Sequence, residues 1–135
     1  MASHVEHAIR AALLASPAVA ALVGDRVGPP PLPQDPTMPA ITFQLISKVR
    51  WTGRALPLGH ARPRIQVDSW AVEYTQVKDL AAAVQAALCP SGGLSGTFAG
   101  VEITVITPAG ERDLYDPDTS LRRVSADFFV SHKES

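Results

Sequence analysis

With one cysteine, Cys89, in 135 residues, the chain has no internal disulfide and no cysteine-built metal cage, which fits a reducing compartment. Neither sign of charge is in excess. Twelve Lys and Arg against thirteen Asp and Glu give a formal charge of -1, which excludes a globally basic nucleic-acid binder and an acidic solvating tail. Any charge-based function has to be local. No stretch approaches the roughly 18 consecutive apolar residues of a membrane span, so no membrane partner is expected. Glu6 and Arg10 interrupt the early Ala/Leu/Val pattern, so no secretory leader is read there and synthesis in the cytoplasm is expected. A phosphate-cradling glycine loop, GxSxG, HExxH and paired CxxC motifs are all missing. The expectation is a protein that is not an enzyme and has no cofactor.

What is present is a chain of 46% hydrophobic residues, of a size that makes one domain over 1–135. Proline is abundant, and much of it falls in Gly28 to Pro39, an arm barred from helix and central strand because proline donates no backbone N–H. Ser3 and Glu6 form a capping box, and Val5, Ala8, Ile9, Ala12 and Leu13 follow at helical spacing, which predicts a helix over about 4–15. Ser16-Pro17 starts a short second helix, which Gly24 ends at about residue 23. Val77, Leu80, Ala81, Val84 and Leu88 predict a third, over 75–88. Alternation predicts strands from Ile41 toward Trp51, over Arg64 to Ala71, over Val101 to Thr107 and over Leu121 to Ser131. Glycine, proline and aspartate make 52–63 and 108–120 long loops.

The predicted order is α-α-β-β-α-β-β, an α+β fold with an antiparallel or mixed four-stranded sheet and helices packed on one face. Strand order stays open, because alternation gives faces and not neighbours. Val77, Leu80, Val84 and Leu88 are assigned to the core. Trp51 and Trp70 suit either core or interface.

Few residues point to chemistry. Cys89 suits a nucleophile by type, but it ends a helix whose dipole opposes a thiolate, and no histidine partner motif accompanies it. His4 and His7 lie three apart, yet without a third ligand they read as solvent-facing side chains. Asp113, Asp116 and Asp118 lack the glycine and closing glutamate of a calcium loop and read as turn formers or as an inter-subunit or partner loop. One asymmetry is pronounced. Between Pro36 and Val67 there is no acidic residue, while Lys48, Arg50, Arg54, Arg62 and Arg64 supply five positive charges. Two readings stand: a basic patch facing a DNA path or an acidic partner surface, or a solvated loop balanced by the acidic segment 111–118 of the same chain or a neighbour.

The ordered landmarks Ala20-Ala21-Leu22-Val23-Gly24-Asp25-Arg26-Val27, Met38-Pro39-Ala40-Ile41-Thr42-Phe43, Arg64-Ile65-Gln66-Val67-Asp68-Ser69-Trp70-Ala71, Lys78-Asp79-Leu80-Ala81-Ala82-Ala83-Val84 and Arg122-Arg123-Val124-Ser125-Ala126-Asp127-Phe128 span nearly the whole chain. Together they resemble the tail completion, or tail terminator, family of long-tailed bacteriophages and gene transfer agents. The resemblance implies a structural virion protein at the head–tail junction, typically a ring of six subunits on the tail tube. Such a ring stops tube polymerisation and docks the head connector or head completion protein. It implies partners in the tail tube protein and further copies of the chain, DNA passing through the lumen, and no catalytic residues. From a different functional class, a small α+β adaptor acting as monomer or dimer also suits a sheet with an open edge.

Overall fold

A computed structural model describes residues 4–32, 37–47, 60–91 and 93–133. The elements in chain order are α1 (Val5–Ala15), α2 (Pro17–Val23), β1 (Val27–Gly28), β2 (Ala40–Ser47), β3 (His60–Ala61), β4 (Arg64–Ala71), α3 (Tyr74–Leu88), β5 (Gly96–Phe98), β6 (Val101–Asp116) and β7 (Leu121–Lys133).

The local chemistry of the helices explains their limits. α1 buries Val5, Ala8, Ile9, Ala12 and Leu13, the expected stripe, and its N-cap is His4 with no side-chain cap. Ser3, the expected capping partner, lies outside the described residues. At Ser16 the backbone is extended (φ -81, ψ 120), and its hydroxyl accepts a 3.4 Å bond from the Val19 amide. Pro17, with no N–H to satisfy, begins α2, and the chain turns by 91° between the two helices. Gly24, at φ 61, ends α2 in a conformation that costs glycine little. In α3 the predicted residues Val77, Leu80, Ala81, Val84 and Leu88 are all buried. Among the described residues no single helix is long and apolar enough to cross a membrane.

Among the described residues one seven-stranded sheet runs in the order β1-β2-β4-β7-β6-β5, with β3 attached to β7. All pairings are antiparallel except the short parallel one of β1 with β2, so the sheet is mixed. The four-stranded sheet expected from alternation is thus too small. Its four strands are the long ones, and the omitted β1, β3 and β5 are two or three residues long, too short for a period to register. With them the order becomes α-α-β-β-β-β-α-β-β-β.

A second correction concerns 108–120. Strand β6 continues to Asp116, and only Pro117 to Ser120 form the turn into β7. Pro108 and Gly110 flank an irregularity in the β6–β7 register, and Gly110 has φ 147. β5 flanks β6 on its outer side only at Val101–Ile103, so near Pro108 a missing N–H and a bulge disturb no second ladder. Of the expected loop 52–63, residues 60–61 form β3 and 52–59 lie outside the described residues.

The register separates the two faces. Leu45, Ile65, Phe128 and Pro108 form one cross-sheet row, and Phe43, Val67, Ala126 and Glu111 the next. The inner members of these rows belong to a single buried cluster with residues of α1, α2 and α3, so the helices cover one face, as expected. Phe128, at 1% exposure, is the largest fully buried side chain among the described residues.

Candidate functional site

Among the described residues no helix lies on the other face of the sheet, and the same register builds that face from mostly polar side chains. Its rows are Ser47, Arg64, Phe129 and Thr107; then Gln44, Gln66, Asp127 and Gly110; then Thr42, Asp68, Ser125 and Arg112; then Ala40, Trp70, Arg123 and Leu114. Successive strand residues alternate faces, so the residues that interleave the core positions of β4 and β7 meet here. Thr42, Asp68, Ser125 and Asp127 are nonetheless buried.

Three of these four, Thr42, Asp68 and Asp127, accept side-chain hydrogen bonds. Arg64 donates from Nε and Nη2 to Asp127 Oδ2 at 3.1 and 2.5 Å. Gln66 Nε2 donates to both Asp68 oxygens at 3.1 and 3.0 Å, and Arg123 Nη1 reaches Asp68 Oδ2 at 3.5 Å. Trp70 Nε1 donates to Thr42 Oγ1 at 2.9 Å while the Arg123 guanidinium lies 5.0 Å from the Trp70 ring centre. Two carboxylates thus face two guanidiniums. Among the described residues Ser125 Oγ and Asp127 Oδ1 have no partner, and a buried polar atom left unpaired is an unmet demand for a donor or acceptor. Trp70 belongs to this polar face and not to the helix-side core.

Of the five basic residues singled out in the sequence, Lys48, Arg50 and Arg54 lie outside the described residues. Arg64 is committed to Asp127, and the Arg62 guanidinium stacks 4.7 Å from the centre of the Phe129 ring. These two are held against their own sheet. Asp113, Asp116 and Asp118 separate as well. Asp113 lies on β6 and receives Lys78 Nζ at 3.1 Å, a bond that raises the Lys78 pKa above its ordinary value. Asp116 closes the turn: its Oδ1 accepts from the Asp118 amide and its Oδ2 from Thr119 Oγ1, both at 3.0 Å. The turn-forming reading therefore suits Asp116.

Cys89 is half-buried, its Sγ 3.5 Å from the Ile106 carbonyl oxygen, and burial pushes its pKa up, away from thiolate reactivity. His4 and His7 are both exposed, with ring centres 5.5 Å apart. Among the described residues no group of three or more His, Cys, Asp or Glu is placed to hold a metal ion.

The sequence matches the family described as Tail completion protein gp17 over residues 7–132. The chain belongs to the tail completion protein family. The match runs from within α1 to the penultimate residue of β7, and it bears out the resemblance read from the ordered landmarks. A chain in the solved virion of a native gene transfer agent particle shares the fold, with a TM-score of 0.71 and 19% identity over 96% of this chain and 94% of that one. No curated protein matches the sequence. The family is one of structural tail proteins.

Proposed function

We propose that this tail completion protein forms a ring of six copies at the head end of a phage-type tail. The ring caps the tail tube, stops its polymerisation and offers the docking surface for the head connector or head completion protein. The observation that carries the reading is the family match over 7–132. The likeness in fold to a chain of a gene transfer agent virion supports it. In this reading the protein is made in the host cytoplasm and ends in the virion, at the head–tail junction, with DNA passing through the ring.

The basic stretch Lys48, Arg50, Arg54, Arg62 and Arg64 then faces the DNA path or an acidic partner, with Arg62 and Arg64 anchoring its end to the sheet. Phosphate contacts of this kind need no sequence recognition. Asp113, Asp116 and Asp118 present the acidic end of the β6–β7 hairpin to a neighbour. The test is deletion of the gene in the producing strain, followed by electron microscopy of the lysate. Overlong tails and unjoined filled heads, both restored to normal by the plasmid-borne gene, are expected. Joined particles with tails of normal length in the deletion strain would overturn the proposal.

A further inference from the structure

Along the strand direction the two ends of the long sheet differ in charge. Where β6 turns into β7, the residues from Tyr115 to Leu121 include Asp116 and Asp118 and no basic residue. The Tyr115 ring is 53% exposed. The turn is held in shape from within, because both Asp116 oxygens accept bonds from it, one from the Asp118 amide and one from Thr119 Oγ1. Asp118 enters this arrangement through its amide, and among the described residues its exposed carboxylate joins no ion pair.

At the opposite end Arg62 and Arg64 both lie over the half-exposed Phe129 ring, 4.7 and 5.7 Å from its centre. The carboxylate there is the buried member of its pair: the Asp127 side chain is 10% exposed against 38% for Arg64. The pair of Asp68 and Arg123 repeats the inequality, at 7% against 33%. This face of the sheet therefore shows solvent its guanidiniums and hides its carboxylates. Arg and Tyr are the residue types that dominate binding energy at protein interfaces, and each end offers one of them beside a charge of its own sign.

The acidic turn is out of reach of Arg62 and Arg64 in its own chain. Asp116 pairs with Leu121 and Arg64 with Phe129, which puts eight residues of β7 between the two ends, about 26 Å at about 3.3 Å per strand residue. That is about three times the Debye length of about 8 Å at physiological ionic strength. Balance by Asp116 or Asp118 then has to come from a neighbouring copy.

We infer that the β6–β7 turn of one copy docks on the Arg62–Phe129 end of the next, with Asp118 against Arg62 and Tyr115 beside Phe129. This rests on the ring reading and names the surfaces that close it. A contact between two different patches generates a ring when the rotation closes, whereas a contact of one patch with itself stops at a dimer. Like ends repel, which opposes the dimer.

A charge exchange tests this. Arg62→Glu and Asp118→Lys each turn the attraction into a repulsion, and Asp118→Lys keeps the amide that Asp116 binds. Circular dichroism checks that each variant folds. In light scattering over a dilution series the wild type is expected as a closed oligomer, and each single variant is expected to dissociate at a concentration at least about tenfold higher. The double variant Arg62→Glu/Asp118→Lys is expected to recover the wild-type dilution curve, because the two charges have only changed places. Such repair is not expected if either residue faces DNA or a different protein. A single variant with the wild-type curve, or a double variant that folds and dissociates no later than the singles, would overturn the contact while leaving the ring intact. A wild type that is monomeric at every concentration would overturn the ring reading itself, and this contact with it.

Discussion

Replacing Phe128 with alanine, and separately its neighbour Phe129, measures the assignment of sheet faces directly. Phe128 is 1% exposed and sits between Ile65 and Pro108 in the helix-side row. Removing a ring from such a site costs about 3–5 kcal/mol, the lost transfer energy plus the cavity left behind. Phe129 lies on the opposite face in a half-exposed position, with the Arg62 and Arg64 guanidinium carbons 4.7 and 5.7 Å from its ring centre. Its truncation removes partial burial and two screened cation–ring contacts, together about 1 kcal/mol. The difference, about 3 kcal/mol, corresponds to a separation of about 1.5 M between urea midpoints at a slope of about 2 kcal/mol per M. Equilibrium unfolding followed by tryptophan fluorescence and far-ultraviolet circular dichroism, at one protein concentration, reads it. Phe128→Leu serves as the milder variant should alanine leave too little folded protein. Equal losses at the two positions would refute the facing, because a sheet read one residue out of register exchanges every side chain between faces.

Other expectations follow from single features. Ser16→Ala removes the 3.4 Å hydroxyl cap of α2 and is expected to cost about 0.5–1 kcal/mol, at the low end for such caps because the bond is long; an unchanged urea midpoint would deny the cap a role. Cys89 is expected to react with iodoacetamide at pH 8 at least about tenfold more slowly in the folded protein than in urea, since burial raises its pKa and restricts access. Equal rates would contradict that burial. Arg50→Glu/Arg54→Glu is expected to leave the unfolding midpoint unchanged but to lower the yield of joined particles, counted by electron microscopy. An unchanged yield would sink the assigned role of the basic stretch.

The parts of the fold that sequence revealed are those with a periodic, one-sided apolar pattern. The α3 stripe Val77, Leu80, Ala81, Val84 and Leu88 is buried as read, and the Val124, Ala126, Phe128, Val130 alternation marks the core face of β7. Ser16-Pro17 and Gly24 declared their turns through chemistry that few other residues supply. β6 beyond Thr107 was missed because most of its side chains are exposed, whichever face they occupy. Without one-sided burial there is no alternation to read, and Pro108, Gly110 and Asp113 then look like turn residues. The polar face was hidden for a different reason. Arg64, Asp68, Arg123 and Asp127 are ordinary outward residues within their own strands, and only the adjacency of β4 and β7 brings them into ion pairs. Nothing local in a sequence states which strands are neighbours.

The ring is the central claim, and the absolute mass of the purified wild-type protein, taken by light scattering across a wide concentration and magnesium series, tests it most directly. A species near six times 14.3 kDa is the predicted result. A monomer or dimer throughout the series would contradict the ring and favour an adaptor that meets its partners singly.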